Sequence, residues 1–399
     1  MCESGSACLV AAMDFCTTPL RDEMMAWRHD FHAIPELGFE ETRTATRVAE
    51  LLQGFGVEVH TGFGGTGVVG VLDRGDGPSI GLRADMDALP IHEQTNLPYA
   101  SKTQGKMHAC GHDGHTTMLL GAAKHLAESD TFHGRVVFIF QPNEEHGFGA
   151  RAMLDDGLFR RFPVDLVYGI HNMPGLPVGS AAMRAGAMTA SEALFEIEVN
   201  ARGGHSALPH MGVDAITVGA QIVDNLQTIV SRKLNPGLNG VVSITEFETD
   251  GRRNVLPGRA VLRGDARALT PETNAEIERR MHQIVAGIAG AHDVQASVSY
   301  ETGFIPTTNA PEAVKKAAAA AKTLFSDVDD ACEPKLFSED FAHLAAAAPG
   351  CFLLLGNGTD GANARPLHSA DYDFNDDLLV PGSSYWVRLV EHFLGGKSV

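Results

Sequence analysis

The hydrophobic rhythm of this chain changes twice, and that pattern constrains the fold more than any other feature of the sequence. In the first part, short β-branched or apolar runs at 67–72, 79–82, 135–140 and 166–170 alternate with stretches of helical period. Residues 20–53 read as helix: Trp27, Phe31 and Ile34, then Val48 and Leu51, follow a helical period, with Pro35 breaking it between them. A further helix is expected at 116–128. Strands spaced by helices imply an α/β sheet with both faces covered. The middle third instead reads strand 194–199, helix 213–229, strands 241–247 and 259–267, helix 271–289, strand 294–300. The second of these helices opens on Thr270 as N-cap, Pro271 at N1 and Glu272 in the first turn. This βαββαβ order is that of the split-βαβ, ferredoxin-like unit. The earlier rhythm then resumes, with an Ala-rich helix at 311–324 and an apolar strand at 351–355. The expected architecture is α/β: a catalytic domain with a central mixed sheet flanked by helices, built from 14–187 and 302–399, and a ferredoxin-like domain, 188–301, inserted between.

Composition narrows the function classes. The 399 residues carry 31 basic and 50 acidic side chains, a formal charge of −19, with no long Lys/Arg block, which argues against nucleic acid as a partner. No apolar run approaches the ~20 residues that span a bilayer, so no membrane partner is expected. Of the six Cys, three fall in the first sixteen positions (Cys2, Cys8, Cys16) and the others stand alone, which is not a disulfide framework. Residues 1–5 lack the positive start of a signal peptide and 9–13 are too short for its apolar core, so the cytoplasm is the expected location. Residues 1–12 read as a loose tail, or as an over-long start with Met13 the true beginning.

Four polar clusters carry the chemistry. In Met107-His108-Ala109-Cys110-Gly111-His112-Asp113-Gly114-His115, Cys110 and His112 stand two apart, so in an extended segment both would point the same way, as two ligands of one metal do. A loop of surface histidines, or a catalytic Cys110 with His112 as base, are the competing readings. Glu144 and Glu145 follow the strand at 135–140; in an extended turn their side chains diverge, one toward a metal and one toward substrate. His171 follows the strand at 166–170, Asp85 and Asp87 follow the run at 80–82, and His368 lies near the C-terminus. Open α/β sheets place ligands beyond the carboxyl ends of their strands, so several strands deliver Asp, Glu and His to one edge. Cys110, His112, Glu145, His171 and His368 make five protein ligands, more than a single catalytic zinc uses, and fit two divalent ions with a shared ligand. Such pairs serve amide hydrolysis, with Glu144 carrying the proton from water to the leaving nitrogen. The mixed S, N and O donors fit zinc, manganese, cobalt or nickel and exclude magnesium and calcium.

These residues resemble the metal-dependent aminoacylase and carboxypeptidase family, in the amidohydrolase branch that includes hippurate hydrolase and the plant hydrolases of auxin–amino-acid conjugates. The matching strings are Leu82-Arg83-Ala84-Asp85-Met86-Asp87-Ala88-Leu89-Pro90, residues 107–116 and 141–145, and Gly203-Gly204-His205-Ser206. Asn254-Val255-Leu256-Pro257, Ser338-Glu339-Asp340-Phe341 and residues 367–376 complete the set, in family order along nearly the whole chain. The resemblance implies a dinuclear site on the five ligands named, with Glu144 as acid and base. It makes the inserted domain a lid or dimerisation domain and the protein a homodimer or higher homo-oligomer. It gives His205 a share of the oxyanion charge, often from a partner subunit, and makes Asn254 and Arg267 contacts to substrate carboxylate or carbonyl. Asp87 is expected to orient a metal ligand from behind. Asn143 stands where the family often has Ala, and Arg252 and Arg253 stand where smaller or apolar residues are common; both differences bear on substrate rather than on chemistry. The expected reaction is hydrolysis of an N-acyl amino acid to a carboxylic acid and a free amino acid. A dipeptidase or small metallocarboxypeptidase using the same site is the alternative.

Overall fold

A computed structural model describes residues 18–395. The expectation for residues 1–12, and Cys2, Cys8 and Cys16, lie outside them. Two compact units emerge. The first takes the chain up to Met188, Thr308–Glu333 and the chain from Asp340 on; the second takes Thr189–Thr307 and Pro334–Glu339.

In chain order the strands are β1 (Glu58–Phe63), β2 (Gly67–Arg74), β3 (Ser79–Asp85), β4 (Gly134–Gln141), β5 (Leu166–Pro174), β6 (Ser180–Ala182) and β7 (Gly186–Thr189). Then come β8 (Ser191–Asn200), β9 (Gly204–His205), β10 (Gly240–Thr249), β11 (Val255–Leu256) and β12 (Arg259–Ala268). The last are β13 (Gln295–Phe304), β14 (Thr307–Asn309), β15 (Asp327–Asp329) and β16 (Gly350–Gly358).

The first unit is built on an eight-stranded mixed sheet, ordered β1-β2-β4-β3-β5-β16-β6-β15. Its centre, β4-β3-β5-β16, is parallel, while β1, β2 and β6 pair antiparallel toward the edges. Parallel strands are buried on both faces, which explains the unbroken apolar runs Val136–Phe140 and Cys351–Leu355. On β16 the alternation is visible: Cys351, Leu353 and Leu355 join a core with Met24, Val48, Leu119, Ala317 and Leu389 from five helices. Phe352 turns to the opposite face, against Phe341 of the helix Phe341–Ala347, with ring centroids 5.7 Å apart.

The stretch read as broken at Pro35 is two helices, Thr18–Ala33 and Thr42–Gly54. The edge strand β1 and the helix Leu379–Leu394 had no clear signal in the sequence. The helix carries Pro381, Gly382, Ser383 and Ser384 near its start, where a proline lacks no hydrogen bond the helix needs, and small residues fit against neighbours. A Cβ at Gly382 would lie 1.9 Å from Met118 Sδ, so the glycine lets this helix pack closely.

The second unit holds a four-stranded antiparallel sheet ordered β10-β12-β8-β13. The helices Ala215–Thr228 and Pro271–Ala291 bury Val218, Ile222, Ile277 and Met281 in one core with its strands. With both helices as crossovers, this is the ferredoxin-like strand order. Thr270 Oγ1 accepts from Thr273 N (3.1 Å) and Pro271 occupies the first turn, as the sequence indicates.

Candidate metal centre

Strand ends place the site. β3 ends on Asp85, β4 on Gln141 just before Glu144 and Glu145, and β5 carries His171. Cys110 and His112 arrive by a different geometry from the extended one expected. His112 is the first residue of the helix His112–Glu128, and Gly111 before it is left-handed (φ 97°, ψ 10°). That turn, rather than strand alternation, brings the two side chains together. A side chain at Gly111 would also strike Asn172 Oδ1, 2.2 Å from an added Cβ, so glycine is required twice over.

Among the described residues, two of the four donor groups share Cys110: Cys110, His112 and His171, and Cys110, Glu145 and His368; the others are His112 with Glu144 and Glu145, and His112 with Asp85 and His115, with ligand atoms in each within 4.8 Å of one another. Cys110 Sγ lies 3.3 Å from both His171 Nε2 and His368 Nε2. The two glutamates do not diverge: Glu144 Oε2 and Glu145 Oε1 lie 3.9 and 3.8 Å from His112 Nε2.

The rings are oriented from behind. Asp87 Oδ1 accepts from His112 Nδ1 (3.1 Å) and the Asn172 carbonyl accepts from His171 Nδ1 (2.7 Å), so in each ring Nε2 is the nitrogen turned to the cluster. Asp87 Oδ2 also accepts from Glu145 N (2.9 Å). His115 is engaged at both ring nitrogens: Nδ1 bonds Asp85 Oδ1 (2.7 Å) and Nε2 faces Asn172 Oδ1 (2.8 Å).

Electrostatics favour a cation. Burial disfavours charge on His112, yet Asp85, Asp87 and Glu145 outweigh it and raise its pKa to about 10. Burial, with Asp87 and Asp85, pushes Glu145 up to about 8 against the pull of His112. His112 and Glu145 thus retain protons where divalent charge would replace them, whereas burial holds the His171 and His368 pKa values down. His112 Nε2 and Glu145 Oε1 are buried atoms with no hydrogen-bond partner, as expected of ligand atoms that a metal satisfies. The donor set therefore fits a pair of metal ions.

Residues 81–392 match the profile of peptidase family M20/M25/M40. The chain belongs to this family. It is 43% identical to the hippurate hydrolase of Campylobacter jejuni over 380 residues, covering 94% of this chain and 97% of that one. It is 35% identical to an IAA-amino acid hydrolase of Arabidopsis thaliana, covering 99% and 91% of the two chains. Among solved structures, a Bacillus subtilis protein described as a dinuclear metal binding peptidase of the M20 family superposes with a TM-score of 0.83 at 32% identity, covering 95% and 99%. M20/M25/M40 membership bears out the resemblance read from the sequence, and the protein is a hydrolase of amide bonds.

His205, Asn254 and Arg267 lie in the second unit. His205 on β9 pairs with Val255 on β11, and the Asn254 carbonyl accepts from Ser206 N (3.2 Å), so His205 and Asn254 are neighbours. Both are exposed. Arg267 is already engaged by Glu192 (2.5 Å), Asp265 (2.8 Å) and Ser338 Oγ (2.9 Å).

Other supporting residues emerge only from the structure. Asp113, next to His112, accepts from Arg28 Nε (2.9 Å) and from His32 Nδ1 (2.8 Å). Burial alone would raise its carboxyl, but Arg28 and His32 outweigh that and hold it well below the usual range. Its place in the histidine-rich string was the one available signal.

Proposed function

We propose that this enzyme hydrolyses the amide bond of N-acyl amino acids, hippurate-like or N-acetylated, to a carboxylic acid and a free amino acid. The observation that carries the reading is the pair of donor groups joined at Cys110, with Glu144 beside them. Relatives named for hippurate and for IAA–amino acid substrates support the substrate class.

Cys110, His112 and His171 would hold one ion, and Cys110, Glu145 and His368 the other. The donors suit zinc, manganese, cobalt or nickel. Two such ions, when bound, acidify a water and polarise the amide carbonyl. Glu144 takes a proton from the attacking water as the new C–O bond forms. It returns that proton to the nitrogen as the C–N bond breaks, so the amine leaves neutral. Asp87 holds the His112 ring through Nδ1, leaving Nε2 as the nitrogen that would meet the ion once its proton is displaced. We assign His205 a hydrogen bond to the oxyanion, and Asn254 and Arg267 contacts to substrate. A cytoplasmic homodimer or higher homo-oligomer completes the proposal.

Glu144→Gln tests the mechanism. Turnover is expected to fall by roughly 10²-fold or more, the scale of a lost acid–base group, at near-normal metal content. Full activity in that variant would sink it. Initial rates on hippurate, N-acetyl amino acids and simple dipeptides separate this reading from a dipeptidase.

A further inference from the structure

In the string Ser338-Glu339-Asp340-Phe341, Asp340 has no part in the chemistry above, yet it meets the residues that carry it. Asp340 is 1% exposed and precedes the helix Phe341–Ala347. Its backbone N–H donates to Glu144 Oε1 (3.3 Å). The other carboxylate oxygen, Oε2, is the one near His112 Nε2. Glu144 is thus held asymmetrically, one oxygen on an amide and the other toward the donor cluster.

The Asp340 side chain fixes that amide. Its Oδ2 accepts from Gln141 Nε2 (2.7 Å) and from Ala150 N (2.8 Å). Gln141 ends β4 and Ala150 lies in the helix Gly149–Asp155, so these donors flank the turn bearing Glu144 and Glu145. A single oxygen therefore ties the two ends of the turn together. Gln141 is itself fixed, its Oε1 accepting from Arg83 Nε (2.8 Å), and Arg83 Nη1 donates to Asp85 Oδ2 (2.9 Å). All of these side chains are buried.

We infer that Asp340 is a positioning residue for Glu144: its carboxylate staples the base of the catalytic turn and aims its own N–H at Glu144 Oε1. The inference rests on Glu144 as the proton carrier. Asp340→Ala frees both ends of the turn and loosens the amide. The expected result is a fall in kcat of roughly 10- to 100-fold, the scale of a misplaced catalytic group, with KM within about twofold. Metal content should match wild type. Asp340→Asn keeps both hydrogen bonds, since both go to one oxygen, and is expected to rescue most of the lost kcat.

The experiment measures kcat, KM and bound metal for D340A, D340N, Q141M and E144Q on one N-acyl amino acid. Q141M removes one staple without touching Asp340, and a several-fold loss of kcat at constant KM is expected; it serves if D340A does not fold. Wild-type kcat in D340A or Q141M overturns the inference, as does equal impairment of D340A and D340N. So does metal loss accounting for the whole defect in D340A. Active E144Q would instead overturn the proton-carrier reading, which keeps the two failures distinct.

Discussion

Asp87 supports two proposed ligands at once, bonding the His112 ring through Oδ1 and the Glu145 backbone through Oδ2. Removing it by Asp87→Ala is expected to weaken metal binding by roughly 10- to 100-fold, the range for partners that orient metal ligands. Competition against a chromophoric chelator reads this directly, and unchanged affinity would show that His112 needs no such support. The candidate ligands could be named from sequence because thiol, imidazole and carboxylate chemistry belongs to the residue type. Their convergence was only half legible. The spacing of Cys110 and His112 implied a shared direction, but it comes from a left-handed Gly111, where Asn172 leaves no room for a side chain. Asp340 was equally hidden, because its meaning lies in partners at Gln141, Glu144 and Ala150, about half a chain away.

At the scale of elements, the turn after β4 is held by several contacts. Asn143 is left-handed (φ 47°), its N–H donates to Glu41 Oε1 (2.8 Å), and Thr66 Oγ1 donates to Glu41 Oε2 (2.6 Å). Burial, the main cause, raises the Glu41 pKa from 4.5 to about 7. A carboxyl raised on folding favours the protonated native state. Its stabilising effect is full below about pH 4.5 and is lost as the pH rises through about 7. Glu41→Gln cannot ionise, so relative to wild type it should gain roughly 1–3 kcal/mol between about pH 5 and about pH 8. Urea unfolding at both values checks this, and a pH-independent difference would contradict it. Buried strands and capped helices were readable because periodicity and end signals are local. The edge strand β1 was not, since it is largely exposed and has no apolar run. The helix Leu379–Leu394 was obscured because its early Pro, Gly and Ser mimic a loop, and only close packing against Met118 explains them.

At the scale of the molecule, both ends of the chain build one sheet. β16 sits beside β5, so His368, far along the sequence, can reach Cys110 and Glu145. The returning α/β rhythm after the ferredoxin-like unit made this arrangement visible in the sequence, whereas the ion pairs that engage Arg267 could not be read from it. In the proposed mechanism, two metal ions held through a shared Cys110 are required for amide hydrolysis. The most direct measurement strips the protein with a chelator and titrates it with zinc, manganese, cobalt or nickel while following hippurate hydrolysis and bound metal together. The metal-free protein is expected to be inactive and binding to saturate at about two ions per chain, with activity returning as the pair fills. Full hydrolysis by the metal-free protein would contradict it, as would saturation at about one ion.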